Sequence, residues 1–253
     1  YVAVAWLVPS LLAGRSIAKR ALPFVATATV ALYAGFAYVQ TGYWRDGETL
    51  ARHTLAVTQK NAFAHRILGD ALFLEGRYDE AIREYKLAME LSPYDPNHPV
   101  RLSHTYRTLG RHEEAVEQLQ NAIALDPNDP VSYASLGGAL IPLRRYTEAR
   151  QALVRAIELD ERDPWAYAHL ASLYRMVRDY PQSFECCRRA LELDDTVVVC
   201  HRIIALNLRD QGRPAEAEKW LRSVVDMSLA DGETLKLLAE LSALNAVNSY
   251  AAE

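Results

Sequence analysis

The sequence predicts an all-α chain: a stack of antiparallel helix pairs from about residue 45 onward, preceded by an apolar stretch almost free of charge. Three observations carry this. Apolar and small residues recur with a fixed period of 34 between residues 62 and 231. Within each period they fall into two stripes with the i, i+3/i+4 spacing of a helix face. Asp-Pro pairs, which start helices, recur at the same period. Composition agrees with a folded chain: of 253 residues 50% are hydrophobic and 24% charged, with 28 Lys+Arg against 32 Asp+Glu, a net charge of −4. That mix excludes a disordered, collagen-like or disulfide-dense protein. An isoelectric point near 6.0 excludes the basic footprint of a nucleic-acid binder.

Residues 1–44 contain no Asp or Glu and only Arg15, Lys19 and Arg20, so all the acidity lies in residues 45–253. Ala21 to Trp44 carries no formal charge. At about 1.5 Å per residue it would make a helix of about 36 Å, enough for a bilayer core of about 30 Å. Pro23 stands near its start, and Tyr38, Tyr43 and Trp44 gather at its far end as an interfacial belt would. The segment 21–44 is therefore expected to be a transmembrane helix. Tyr1 to Gly14 is uncharged too but short. It is expected to be the tail of an earlier span; a signal-peptide core is the alternative, though it lacks a basic leader. Arg15 to Arg20 then forms a short basic loop. The positive-inside rule places that loop in the cytoplasm and everything after Trp44 on the extracytoplasmic side, periplasm or lumen, as part of an integral membrane protein.

Trp44 to Asn61 reads as the second half of a repeat, with Leu55 and Val57 on its apolar side; residues 45–61 form this half-repeat junction. Five full periods follow: 62–95, 96–129, 130–163, 164–197 and 198–231. Their seventh positions are Leu68, Leu102, Leu136, Leu170 and Ile204. The eighth are all small: Gly69, Ser103, Gly137, Ala171 and Ala205. The twentieth are Ala81, Ala115, Ala149, Ser183 and Ala217, and the twenty-seventh Ala88, Ala122, Ala156, Ala190 and Val224. Small residues at positions 8, 20 and 27 let two helices approach; Tyr85, Leu119, Leu153, Cys187 and Leu221 at position 24 fill the space left. Asp95-Pro96, Asp129-Pro130 and Asp163-Pro164 punctuate the series, with Asn61 and Asp231 as caps at its ends. Gly76, Gly110 and Gly212 sit between paired helices, where a left-handed residue is useful. Pro142 should kink or shorten the first helix of the third repeat. Residues 232–253, with Leu235, Leu238 and Leu241, are expected to form a helix capping the open end.

This column pattern resembles the tetratricopeptide repeat (TPR) family from about residue 44 to the end. The resemblance implies an α-solenoid, a right-handed superhelix of helix-turn-helix repeats, whose first helices line a concave groove through positions 2, 5, 9, 12 and 13. Mapped onto this sequence, the groove is expected to comprise Phe63, Arg66, Asp70, Phe73, Asn97, His104, Arg107, Trp165, Ser172, Arg175, Arg202 and Arg209. Its five arginines would make a basic face on an acidic molecule, suited to an extended protein or peptide segment that is acidic or phosphorylated. The Lys and Asn that some family members use to clamp a chaperone tail are absent: positions 5 and 9 read Arg66/Asp70, Val100/His104, Ala134/Gly138, Ala168/Ser172 and Arg202/Leu206.

The apolar segment followed by Trp44-Arg45-Asp46, Leu50, Asn61 and repeats also resembles the C-terminal part of membrane O-mannosyltransferase-like glycosyltransferases. In that family catalysis lies in an early loop, so no catalytic residue carries over to this sequence. Two functions are thus expected: a membrane-anchored interaction module, or the acceptor-binding end of a glycosyltransferase. No Gly-rich phosphate loop, HExxH or Gly-x-Ser-x-Gly occurs, and no Cys/His spacing resembles a zinc site, so neither cofactor nor metal is expected. Pairs such as Asp79-Glu80 and Glu113-Glu114 suit the starts of second helices. Cys186, Cys187 and Cys200 are read as buried thiols, with a Cys187–Cys200 bridge as the alternative.

Overall fold

A computed structural model describes residues 47–58 and 60–250. Among them are twelve helices and no strands. In chain order they are α1 (Gly47–Val57), α2 (Ala62–Leu74), α3 (Tyr78–Leu91), α4 (Asn97–Thr108), α5 (His112–Leu125), α6 (Pro130–Leu140), α7 (Tyr146–Leu159), α8 (Pro164–Met176), α9 (Tyr180–Leu193), α10 (Val198–Asp210), α11 (Pro214–Asp226) and α12 (Gly232–Tyr250).

Each helix begins and ends where local chemistry dictates. The Asn61 side chain accepts from the Ala64 N–H at 3.0 Å, Asp129 from Val131 and Ser132, and Asp163 from Trp165 at 2.9 Å. Asp95 does the same for the Asn97 N–H, although α4 itself starts one residue after Pro96. Helix α6 stops at Leu140, two residues before Pro142, and has 11 residues where α8 and α10 have 13. The turn inside every pair uses one left-handed residue at the same register position. Three are Gly76, Gly110 and Gly212; the other two are Arg144 (φ 58°) and Arg178 (φ 62°).

The small columns explain how closely the pairs pack. All five residues at position 20 and all five at position 27 have no exposed surface, and the larger side chains at position 24 are buried with them. Tyr85 lies over Gly69 and Leu153 over Gly137, so closely that a Cβ at either glycine would stand under 3 Å from the ring or branch. The polar Ser183 at position 20 is satisfied: its Oγ donates to the Ala171 carbonyl and accepts from Asn207 Nδ2, both at 2.8 Å. Along the stack each second helix packs on the next first helix, and the first helices also meet one another (α2 with α4, α6 with α8, α8 with α10). The second helices make no comparable contact among the described residues, so the first helices form the inner, concave side of a curved stack. Helix α12 closes the end against α11 and α10 with Thr234, Leu237 and Leu241 buried. Leu235 faces solvent instead, because the buried face runs through 234, 237 and 241.

One expectation needs revision, and another lies outside the described residues. The segments 1–14, 15–20 and 21–44 lie outside the described residues. The integral-membrane, extracytoplasmic placement is overturned: no helix among the described residues is long and apolar enough to cross a membrane. The longest, α12, carries Glu233, Lys236 and Glu240, and charges that are cheap on a solvated helix face are costly in lipid. The three cysteines are free and buried. Burial pushes the Cys186 thiol up to about 12; Cys187 is also pushed up, through a hydrogen bond with Cys200 and then by burial.

Candidate functional site

The concave face carries two adjoining cavities that share His104. The smaller, of about 210 Å³, lies between α2 and α4 and is lined by Asp70, Phe73, Leu74, Tyr85, Arg101 and His104. The larger, of about 320 Å³, lies among α4, α6 and α8, where His104, Arg107, Ala134, Ser135, Trp165 and His169 line it together with Val131 and Asp163. Of the groove residues expected from the sequence, Asp70, Phe73, His104, Arg107 and Trp165 are brought together here. Phe63, Asn97, Ser172, Arg202 and Arg209 line neither cavity. Arg175 lines a separate depression with Arg178, Tyr180 and Asp210.

The face is far less basic than its arginines suggest. Arg66 Nη1 donates to Asp70 at 3.0 Å and its guanidinium lies 4.9 Å from the Phe63 ring centre. Arg175 reaches Asp210 at 2.7 Å, Arg209 meets the same carboxylate at 3.1 Å, and Arg202 pairs with Asp231 and Glu233. Arg107 is different: among the described residues it has no acidic partner, and burial lowers its pKa. Asp70 is the hub of the smaller cavity. It accepts from the Tyr85 hydroxyl at 2.8 Å and has Arg101 Nε at 3.7 Å as well as Arg66. Burial, then the Asp70 charge, raises the Tyr85 pKa. Phe73 turns its ring edge-on to Tyr78 at 5.4 Å and so leans toward the pair interior.

His169, which lines the larger cavity, packs its ring against a glycine. Position 9 lines a cavity in the first two repeats, as Asp70 and His104, and in the third repeat it is Gly138. The His169 ring of the next repeat occupies the vacated space: a Cβ on Gly138 would lie 2.9 Å from His169 Cε1. Burial, with Arg107 and His104 adding repulsion, pushes His169 down to about 3. Solvent reaches His104 from the groove, yet the protein crowded around it lowers its pKa as well, helped by Arg107 and Arg101. Both imidazoles are thus uncharged at neutral pH. Asp163 is engaged in capping α8, and its pKa is raised by burial. Trp165 and Val131 stand at the rim, 53% and 52% exposed. Sequence reasoning missed Val131, which occupies position 2 of its repeat and could have been included, and His169, whose role depends on the missing side chain at 138. No group of three or more His, Cys, Asp or Glu among the described residues could hold a metal ion.

Comparison with known families and structures gives the same architecture. Residues 62–95 and 131–163 each match a family described as tetratricopeptide repeat, and residues 104–141 match one described as TPR repeat. The chain therefore carries tetratricopeptide repeats. A thermophilic TPR protein of Thermus thermophilus is 22% identical with a TM-score of 0.66, over 72% of this chain and 98% of that one. A tetratricopeptide repeat protein from Parabacteroides merdae is 17% identical with a TM-score of 0.70, over 85% of each chain. YrrB, described as a TPR protein with an unusual peptide-binding site, is 16% identical with a TM-score of 0.50, over 74% and 96%. At these identities the likeness shows the fold. No curated protein matches the chain. The resemblance to O-mannosyltransferase-like proteins rests on the junction at 41–61, of which 41–46 and 59 lie outside the described residues, and none of the relatives named here is of that kind.

Proposed function

We propose that this chain is a protein–protein interaction module whose concave face holds an extended polypeptide segment, with His104, Arg107 and Trp165 as the residues that bear most of the contact. The repeat boundaries 62–95, 96–129, 130–163, 164–197 and 198–231, with 45–61 as a leading half-repeat and 232–253 as the cap, belong to the same proposal. The observation that carries it is the pair of adjoining cavities meeting at His104, with an exposed tryptophan at the rim and an arginine without an acidic partner inside. Aromatic and arginine side chains in a partly desolvated pocket are the usual anchors of such surfaces. A neighbour of the same fold is described as having a peptide-binding site, which supports the reading. The face offers binding and positioning through aromatic, arginine and histidine side chains.

The test is retention of randomised ten-residue peptides by the full chain, measured by fluorescence anisotropy for the enriched sequences. Trp165→Ala should weaken the enriched peptides by about tenfold or more, as loss of a central aromatic anchor does. Phe63→Ala, which removes a still more exposed ring outside both cavities, should change affinity less than about twofold, as contacts away from the anchors do. No enrichment over beads alone, or equal binding by Trp165→Ala, refutes the proposal.

A further inference from the structure

Four of the five arginines first assigned to the groove are already paired with carboxylates of this chain, while the larger cavity gathers one arginine and two imidazoles whose one neighbouring carboxylate, Asp163, is engaged at the start of α8. We propose that the pocket among α4, α6 and α8 is a carboxylate site, in which Arg107, His104 and His169 together take a single acidic group of the bound polypeptide, and that the bound carboxylate draws a proton onto the imidazoles. The proposal rests on the groove reading above and names its guest: a segment with one acidic group set beside an apolar side chain that covers Trp165 and Val131, rather than a polyacidic stretch.

The groups facing the pocket can be named element by element. Helix α4 supplies His104 and Arg107, with Arg101 lining the neighbouring smaller cavity. Helix α6 supplies Val131, Ala134 and Ser135, none of which titrates, and Gly138 packs against the His169 ring. Helix α8 supplies His169, with Asp163 at its cap. Across His104, the smaller cavity adds Asp70 and Tyr85, which bond each other, and Asp70 also offsets Arg101. Asp163, the one carboxylate lining the larger pocket, is held by the Trp165 N–H at its own helix start. In the empty groove burial first, and the facing Arg107 charge second, keep the imidazoles neutral. A guest carboxylate offsets the repulsion and stabilises the imidazolium. It accepts from the guanidinium and from an N–H of each ring, and it favours the imidazolium form over the neutral one. The complex then binds more protons than the separate partners. By linkage, affinity rises as pH falls, until the guest's own carboxyl is protonated near about 4.3. Gly138 is the positioning residue, because any Cβ there meets the His169 ring.

The experiment uses three libraries of ten-residue peptides, random at all positions but one, panned on the full chain. The first is blocked at both ends with a central Glu; the second is the same with Gln; the third has Gln and a free C-terminal carboxylate. The Glu library, or the free-terminus library if the carboxylate is the chain end, should yield binders about tenfold tighter than the Gln library, the worth of hydrogen bonds to a charged group. The best carboxylate peptide should bind about three- to tenfold more tightly at about pH 5.5 than at about pH 8, with proton uptake read as a buffer-dependent heat of binding. Arg107→Gln should abolish the preference for Glu. His104→Gln with His169→Gln, or Gly138→Ala, should flatten the pH profile while leaving dependence on Trp165. Equal affinities for Glu, Gln and free-terminus peptides, each still weakened by Trp165→Ala, would overturn the carboxylate site and leave the groove intact. A carboxylate preference without proton uptake overturns the coupling. Absence of any Trp165-dependent binder overturns both readings.

Discussion

Gly137→Ala opposes two effects of known size. Alanine is the better helix former by about 1 kcal/mol. Against that, a Cβ at 137 would stand 2.4 Å from Leu153 Cγ and 2.7 Å from its Cδ2. Leu153 is fully buried, and Cγ is a branch point rather than a flexible tip, so it cannot swing away without shifting α7. Overpacking of this kind costs about 1–3 kcal/mol. The expected balance is a loss of about 1 kcal/mol, or about 2–4 °C in melting temperature for a chain of this length. Urea unfolding followed by far-ultraviolet circular dichroism measures it. The fourth repeat suggests the control, since it places Ala171 and Cys187 at the equivalent positions. Gly137→Ala with Leu153→Cys should be more stable than the sum of the single changes by about 1 kcal/mol, the size expected for touching residues. A gain of about 1 kcal/mol from Gly137→Ala alone would mean that helix propensity is unopposed and that the close approach of α6 to α7 is wrong.

Other perturbations follow from single residues. Arg144→Gly should stabilise the chain by about 0.5–1 kcal/mol, because a left-handed non-glycine residue costs about 1–2 kcal/mol and glycine returns about half of that as chain entropy; a lower urea midpoint would count against it. Asp70→Ala strips the buried Tyr85 hydroxyl of its acceptor and should cost about 1–3 kcal/mol, most of it recovered by adding Tyr85→Phe; additive losses in urea unfolding would show that the bond matters little. Hydrogen bonds from Asn245, Arg222 and Ser242 pull Glu218 down to about 2. Its folded pKa lies below the unfolded value of 4.5, so its contribution is complete above that pH and is lost as pH falls toward about 2. Amide exchange in α12, measured against α7, should accelerate across that window, and Glu218→Gln should remove the dependence; identical profiles for the two proteins would contradict the role.

What the sequence made legible was whatever repeats. Columns of alanine at positions 20 and 27, Asp129 and Asp163 before prolines, and Pro142 inside a helix each act within one or two turns of their own position, and each does in the structure what local chemistry requires. The left-handed turn residue was legible at Gly76, Gly110 and Gly212 but hidden at Arg144 and Arg178, where the packing of the pair imposes a conformation that the residue itself disfavours. The groove was legible as a face but misread as a charge. Arg175 meets Asp210 35 residues away and Arg202 meets Asp231 29 residues away, pairings that depend on how one repeat sits on the next. Gly138 has no side chain to signal a role; the His169 ring that lines the pocket packs against it, a contact set by how the fourth repeat sits on the third. The span expected at 21–44 lies outside the described residues, and no described helix is long and apolar enough to cross a bilayer.

The most direct measurement is photo-crosslinking by an enriched carboxylate peptide carrying benzoylphenylalanine beside its acidic residue, with adducts mapped by mass spectrometry. Adducts are expected on α4, α6 and α8 around Trp165, and they should vanish when unlabelled peptide is added in excess. Adducts confined to the second helices α3, α5, α7 and α9, or unchanged by Arg107→Gln together with Trp165→Ala, would contradict a guest held on the concave face.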